Sequence, residues 1–322
     1  MSDHVERNSR PASKRPLKLG LHLPNADGMT PGATARWAEI VAIGRRAEEL
    51  GFDSLWVMDH LLLRFTGWEE APVGVWEGWS LLAAVAASTV RVELGPLVTC
   101  TSFRNPALLA KMADTVDEIS GGRLILGLGA GWNEPEFHAF GYPYDHRASR
   151  FEEALIIITT LLRDGRIDFA GSYYTARECE LRPRGPRPHG PPIMIGTTGE
   201  RMLRLAARYA DQWNVDWINQ ATEIPPLREK VDAACMAVGR DPSTLARTVA
   251  IMVDLPDRHR RPHDDLVASI REGAASGQPE ELAAHLRAYA AEGIEHVQVW
   301  LDPCTLAGVE AFAPVLELLD SG

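Results

Sequence analysis

The pair Asp59-His60 follows a short apolar run, Ser54 to Met58. An imidazole placed there can donate a proton, accept one or hold a ring oxygen, because its unperturbed pKa makes both protonation states accessible. The neighbouring carboxylate is a candidate to fix the tautomer. Adjacent residues on an extended strand point to opposite faces, however, so one of the two faces inward unless the strand has already turned. A loop histidine with a structural hydrogen bond accounts for the same pattern. Gly127-Leu128-Gly129-Ala130-Gly131 is followed by Trp132 and Asn133. Glycines let a backbone approach a flat ring or a phosphate closely, and a tight turn needs them equally. Trp132 adds an aromatic face and Asn133 an amide. Ile195-Gly196-Thr197-Thr198-Gly199 precedes Glu200-Arg201 and a helical pattern. Small residues there expose amide groups at a positive helix end, and the two hydroxyls and Arg201 complete an anion site suited to a phosphate. Arg182, Arg184 and Arg187 lie in a proline-rich stretch, Leu181 to Gly190, and are either solvated or placed to meet an anionic cofactor tail. His22 reads as a packed or hydrogen-bonded histidine, and Trp37, Trp56 and Trp213 as core or rim packing. G-x-S-x-G and H-E-x-x-H motifs are absent, which favours a metal-free, cofactor-dependent site.

These residues are spaced by alternating strand-like and helix-like runs. Strands are predicted over Lys18–Pro24, Ser54–Met58, Val92–Thr99, Arg123–Leu128, Pro192–Gly196, Gln212–Asp216, Thr248–Leu255 and His296–Leu301. Helices are predicted over Thr34–Leu50, Trp76–Ala87, Pro106–Ser120 and Ser149–Leu162, then from Gly199, over Ile224–Val238, Pro279–Ala291 and Leu306–Leu319. Asn105-Pro106 is a cap followed by a first-turn proline, and Gly51 and Gly121 stand where helices stop. Strict alternation implies parallel pairing, because each helix is the crossover. Eight such units imply an α/β fold of the (β/α)8 TIM-barrel type, with insertion segments over Arg163–Pro192 and 256–276. A doubly wound open sheet would want a glycine fingerprint at the first turn, and Pro24-Asn25-Ala26-Asp27-Gly28 is not one. Residues 1–16 read as a disordered leader and 17–322 as a single barrel domain. In such a barrel the site lies at the carboxyl ends of the strands, where all of the motifs above fall.

Composition limits the partners. The 322 residues carry 33 Lys+Arg against 44 Asp+Glu, a net charge of −11, which is not the basic footprint of a nucleic-acid binder. Four cysteines lie far apart with no C-x-x-C, which fits a reducing cytoplasm and neither a zinc cage nor a disulfide scaffold. The longest apolar runs fall well short of the ~20 residues of a membrane span, and the start of the chain lacks the apolar core of a signal peptide.

Several segments, in order, resemble the bacterial-luciferase-like flavin oxidoreductases, in particular the branch using the deazaflavin coenzyme F420. They are Ala47-Glu48-Glu49-Leu50-Gly51-Phe52-Asp53-Ser54-Leu55-Trp56, Asp59-His60, Thr101-Ser102-Phe103-Arg104-Asn105-Pro106, Ser120-Gly121-Gly122-Arg123-Leu124, Gly129-Ala130-Gly131-Trp132-Asn133-Glu134, Arg150-Phe151-Glu152-Glu153 and Ile193-Met194-Ile195-Gly196. The resemblance implies a luciferase-like TIM barrel with F420 or FMN across its carboxyl face. It implies a non-prolyl cis peptide near Leu97-Val98, with Thr99 beside it, and a ring-facing histidine at His60 beside Asp59. It places cofactor contacts at Gly129 to Asn133 and a phosphate site at Gly196 to Gly199, with Arg201 next to it. The family's sugar-phosphate branch carries an acidic residue where Trp132 stands here, which argues against a sugar phosphate. The function implied is hydride transfer between F420 and a small organic substrate. The alternatives are an FMN-dependent two-component monooxygenase with a reductase partner and, from another class, a non-catalytic binding subunit. A homodimer is the family-level expectation.

Overall fold

The computed structural model describes residues 15–32, 34–64, 71–255 and 273–321. In chain order the elements are β1 (Lys18–His22), α1 (Trp37–Leu50), β2 (Ser54–Val57), β3 (Leu62–Leu63), β4 (Val73–Gly74), α2 (Gly78–Ser88), β5 (Glu93–Pro96), β6 (Thr99–Cys100) and α3 (Pro106–Ser120). There follow β7 (Leu126–Gly129), α4 (Glu134–Phe140), α5 (Arg147–Asp164), β8 (Arg166–Ala170), β9 (Thr175–Glu180), β10 (Ile193–Gly196), α6 (Glu200–Tyr209), β11 (Gln212–Asp216) and α7 (Ile224–Ala237). The last are β12 (Ala246–Asp254), α8 (Pro279–Ala291), β13 (His296–Asp302) and α9 (Leu306–Ser321).

The main sheet runs β5-β2-β1-β13-β12-β11-β10-β7-β6, every pair parallel. Its two end members, β5 and β6, are the two halves of the strand predicted as Val92–Thr99. One half pairs with β2 and the other with β7, so the ring closes through that strand. The cis peptide Leu97-Val98 stands between the halves, where the resemblance placed it. Leucines such as Leu19 and Leu21 are buried in the main core cluster. Trp56 fills the barrel interior with Ile125 and Met194. Its indole fits because neighbouring strands carry glycine: a Cβ at Gly20 would clash with its Nε1, and one at Gly95 would stand 2.8 Å from its ring. Trp56 Nε1 donates to Ser54 Oγ at 2.7 Å, and that hydroxyl meets His296 Nε2 at 2.7 Å, so the buried polar atoms are paired.

Most predicted helix boundaries lie within a few residues of those found. Five elements were not foreseen: the antiparallel pair β3 and β4, then α4, β8 and β9. The segment after β7 forms α4, and the insertion expected to be irregular holds the β8–β9 hairpin, antiparallel with Arg166 opposite Glu180. Of the predicted leader, residues 1–14 lie outside the described residues. Arg15 is tied to Asp320 and Asp53. Of the predicted insertion at 256–276, residues 256–272 also lie outside them.

The arginine-rich stretch corrects one expectation. Arg187 grips the buried Asp117 of α3 with Nε at 2.8 Å and Nη2 at 2.6 Å and reaches the Leu124 carbonyl, which precedes β7. Gly185 N–H donates to Asp114, Arg184 to the Leu162 carbonyl, and Arg182 pairs with Glu180. The stretch thus packs at the amino end of β7, opposite the cavity, because two buried aspartates of α3 need partners there. Removing the Arg187 guanidinium strands the Asp117 charge. Arg187→Met is therefore expected to cost about 3 kcal/mol or more, read as a lowered urea midpoint at unchanged slope.

Candidate active site

The carboxyl rim of the barrel opens into a cavity of about 760 Å³, within the range of small-molecule sites. Of the predicted residues, Asp59, His60, Leu97, Val98, Gly129, Ala130, Gly131, Trp132, Gly196, Thr197 and Thr198 line it. Thr99, Asn133, Gly199 and Arg201 do not. Thr99 is buried behind the rim and accepts from Trp79 Nε1 at 3.1 Å. Asn133 accepts from Glu136 N–H at the start of α4 and donates to the Arg64 carbonyl. Gly199 is the N-cap of α6. Arg201 turns outward to Glu152 at 2.7 Å and Ser149 at 3.1 Å, since the first turn of a helix points successive side chains to different sides.

His60 is held by a residue not foreseen. Its Nδ1 lies 2.8 Å from Glu136 Oε1, and the other oxygen of that carboxylate accepts the Leu61 N–H at 3.0 Å. Glu136 is 1% exposed, whereas the His60 side chain is 20% exposed. With Nδ1 committed to Glu136, Nε2 is the nitrogen left for the cavity, and the edge of Trp132 borders the ring at 5.6 Å between centroids. The carboxylate on the imidazole is thus Glu136 and not Asp59. Asp59 is occupied on both oxygens: Arg104 binds it bidentately at 2.7 Å, and Cys100 N–H donates at 3.0 Å. Burial pushes the Asp59 carboxyl above its usual range even with Arg104 opposite it. Arg104 also donates to Glu77, whose carboxylate caps α2 through Trp79 and Ser80 N–H. Glu136 had a sequence signal. Asn133 followed by Pro135 is a helix-start pattern, and it placed a short helix where only a loop was expected.

Val98 forms an apolar platform between β7 and β10. A Cβ at Gly129 would stand 2.7 Å from its Cγ2, and one at Gly196 would stand 3.2 Å from its Cγ1. These glycines therefore make room for Val98, which offers a flat ring an apolar face. Beyond it, the first-turn amides of α6 have no side-chain cap, and Thr197 and Thr198 stand before them. The loop is held from behind, as Thr197 N–H donates to the Asn214 carbonyl and Trp213 Nε1 to the Thr197 carbonyl. Platform, uncapped helix and hydroxyls fit a flat ring bearing a phosphorylated tail. Among the described residues no group of three or more His, Cys, Asp or Glu is placed to hold a metal ion, and no helix is long and apolar enough to cross a membrane.

The barrel and its rim cavity define an α/β-barrel protein with a small-molecule site at the carboxyl ends of its strands. More narrowly, the chain belongs to the luciferase-like monooxygenase family, whose profile matches residues 17–261. It is 33% identical over 228 residues to an F420-dependent hydroxymycolic acid dehydrogenase of Mycobacterium tuberculosis, which is 69% of this chain and 60% of that relative's length. It is 29% identical over 293 residues to the pyrimidine monooxygenase RutA of Cronobacter sakazakii, which is 87% of this chain and 84% of that one. Among solved structures, an F420-dependent secondary alcohol dehydrogenase in complex with an F420-acetone adduct superposes with a TM-score of 0.78. It shares 20% identity and covers 94% of this chain and 99% of that one, a likeness of fold.

His22, regarded as packing, also lines the cavity, stacked on Trp300 at 4.7 Å and 11°. Burial lowers its pKa to about 4, and that of His296 to about 3. Both are neutral when folded. Their contribution to stability is complete above the unfolded value of about 6.5 and is lost as pH falls toward the folded values. Stability is expected to decline as pH drops from about 6.5 to about 4, and His22→Asn should flatten that decline, by roughly 3 kcal/mol. Denaturation midpoints at a series of pH values check this.

Proposed function

We propose that the protein is an F420-dependent oxidoreductase that moves a hydride between the deazaflavin and a small organic substrate. The observation that carries the catalytic part is His60: its Nδ1 is anchored on a buried carboxylate, so its other nitrogen faces the cavity beside the Val98 platform. F420 would be held by the Val98 face, by the Gly129 to Trp132 loop and, at its phosphate, by Thr197, Thr198 and the α6 amides. When bound it supplies a carbon that accepts or releases a hydride. His60 gives or takes the accompanying proton at Nε2, and Glu136 keeps Nδ1 protonated and steadies the charge that develops on the ring. Asp59 acts through the backbone, holding the chain that carries His60 against Cys100 N–H. F420 is the cofactor for which the mycobacterial relative is named. A second reading, FMN-dependent monooxygenation with a reductase partner, is favoured by the pyrimidine monooxygenase relative, which is matched over more of its length. A His60–Glu136 pair directed at the cavity speaks for catalysis and against a non-catalytic subunit. A homodimer in the cytoplasm completes the proposal.

Titrating F420 and FMN separately into the purified protein, followed by tryptophan quenching, tests the cofactor. Tight binding of F420 alone is expected, and preference for reduced FMN would replace it with the monooxygenase reading. His60→Ala is expected to lower turnover by about 100-fold or more, with the cofactor dissociation constant within about twofold. Unchanged turnover would remove His60 from the reaction. The double change Thr197→Ala/Thr198→Ala should weaken cofactor binding by about tenfold or more, since hydrogen bonds to charged groups are among the stronger ones.

A further inference from the structure

One side of the cavity, here called its β1–β11–β13 lobe, is built from the ends of those strands. Its wall is a run of aromatic rings. His22 stacks on Trp300, and Trp300 meets Trp217 at 4.9 Å and 47°. Met29 and Met58 continue the apolar surface. Beside Trp217 stands Asp216, which ends β11 and is open to the cavity. Consecutive strand residues normally face opposite ways. Here Trp217 has φ 59°, a left-handed conformation that is costly for a bulky residue, and both residues line the cavity. A costly backbone conformation kept at a cavity wall points to use of the residues it presents.

The charges of the cavity are one-sided. None of the described residues that line it is Lys or Arg. Asp59 is neutralised by Arg104, and Glu136 is paired with His60. Asp27 accepts Gly74 N–H and the Thr34 hydroxyl, and Asp302, buried at the end of β13, also lines the cavity and is engaged. Among the described residues no arginine or lysine pairs with Asp216. Enclosure in the cavity pushes its carboxyl above its usual range, an effect that its own backbone N–H and the charge of a protonated His60 oppose. His22 supplies a neutral ring rather than a positive charge, because burial lowers its pKa to about 4.

We infer that this lobe takes an organic cation as the substrate's recognition group, a protonated or quaternary amine on an apolar frame, with Trp217 and Trp300 against the cation and Asp216 as its counter-ion. A cation over indole faces is attracted by their negative π surface, more strongly where water is excluded, and Asp216 supplies the charge partner. The methionines suit an irregular apolar frame. An anion would meet Asp216 with no lysine or arginine among the described lining residues to offset it. The inference rests on the proposed reading only in taking the substrate to share the cavity with the cofactor.

The test uses the full chain with and without saturating F420, and benzyltrimethylammonium as probe. Neopentylbenzene is its neutral isostere and phenylacetate an anionic counterpart. Binding is read by calorimetry and by tryptophan quenching. The ammonium is expected to bind at least tenfold more tightly than either counterpart. Asp216→Asn and Trp217→Leu should each weaken it about tenfold, while Trp217→Phe, which keeps a π face, should retain most of it. Circular dichroism confirms that the variants are folded. Equal or tighter binding of the neutral or anionic probe overturns the inference, and so does ammonium binding indifferent to both Asp216→Asn and Trp217→Leu. Failure of F420 to bind, with ammonium selectivity intact, overturns the cofactor reading and leaves this one standing.

Discussion

The bidentate pair of Arg104 with Asp59 organises the rim of this barrel. Asp59 ends the run begun by β2, Arg104 follows the turn after β6, and the second contact of Arg104, to Glu77, reaches the cap of α2. Three segments that would otherwise splay at the mouth are thereby bound to one buried carboxylate. Two charges taken out of water gain little net stability from each other, yet removing one of them would leave the other stranded at a cost of about 3–5 kcal/mol. The pair therefore acts mainly as a specification of geometry. With Asp59 committed to Arg104 and Cys100, the chain turns, and His60 leaves toward Glu136 and the cavity.

Much of this was legible in the residues. Helical periodicity with stop glycines located α3 and its cap, and strict alternation led to the closed parallel ring. Asp59-His60 and the segment from Gly196 to Thr198 were found because a barrel exposes the ends of its strands. Other features were hidden for physical reasons. Glu136 comes from a short helix rather than a strand end, so a search of strand ends passes over it. Arg201 and the Arg182–Arg187 stretch had the composition of an anion site. Their direction was set by Glu152, Glu180, Asp114 and Asp117, partners that become neighbours only in three dimensions. Asp216 and Trp217 stood at a strand end, but nothing in their spacing announces a left-handed residue at 217.

Family membership accounts for the scaffold and less for the chemistry. The same barrel carries relatives named for F420 and a relative named as a monooxygenase. A fold shared across such reactions delegates the outcome to a few side chains at the rim. Here those side chains divide by electrostatic role. Carboxylates that must hold structure are saturated with partners, the imidazole that faces the cavity is backed by one buried acid, and Asp216 is left open to the cavity.

The split third strand gives the ring a buckle. Along most of the circumference, neighbouring strands are joined by a ladder of several residues, seven between β12 and β13. At β5 and β6 a single strand serves both sides in succession, four residues to β2 and then two to β7, with one isolated bridge from Leu94 to Leu124 below. At the crossover Leu97 N–H still donates to the Val57 carbonyl at 2.8 Å, so the wall remains joined to the run begun by β2 as the strand turns toward β7. Leu97 and Val98 sit at that crossover with their side chains lining the cavity. A molecule pressed against them rests where one strand hands its lateral pairing from β2 to β7. The shape of that cavity face is therefore set by both neighbouring strands at once.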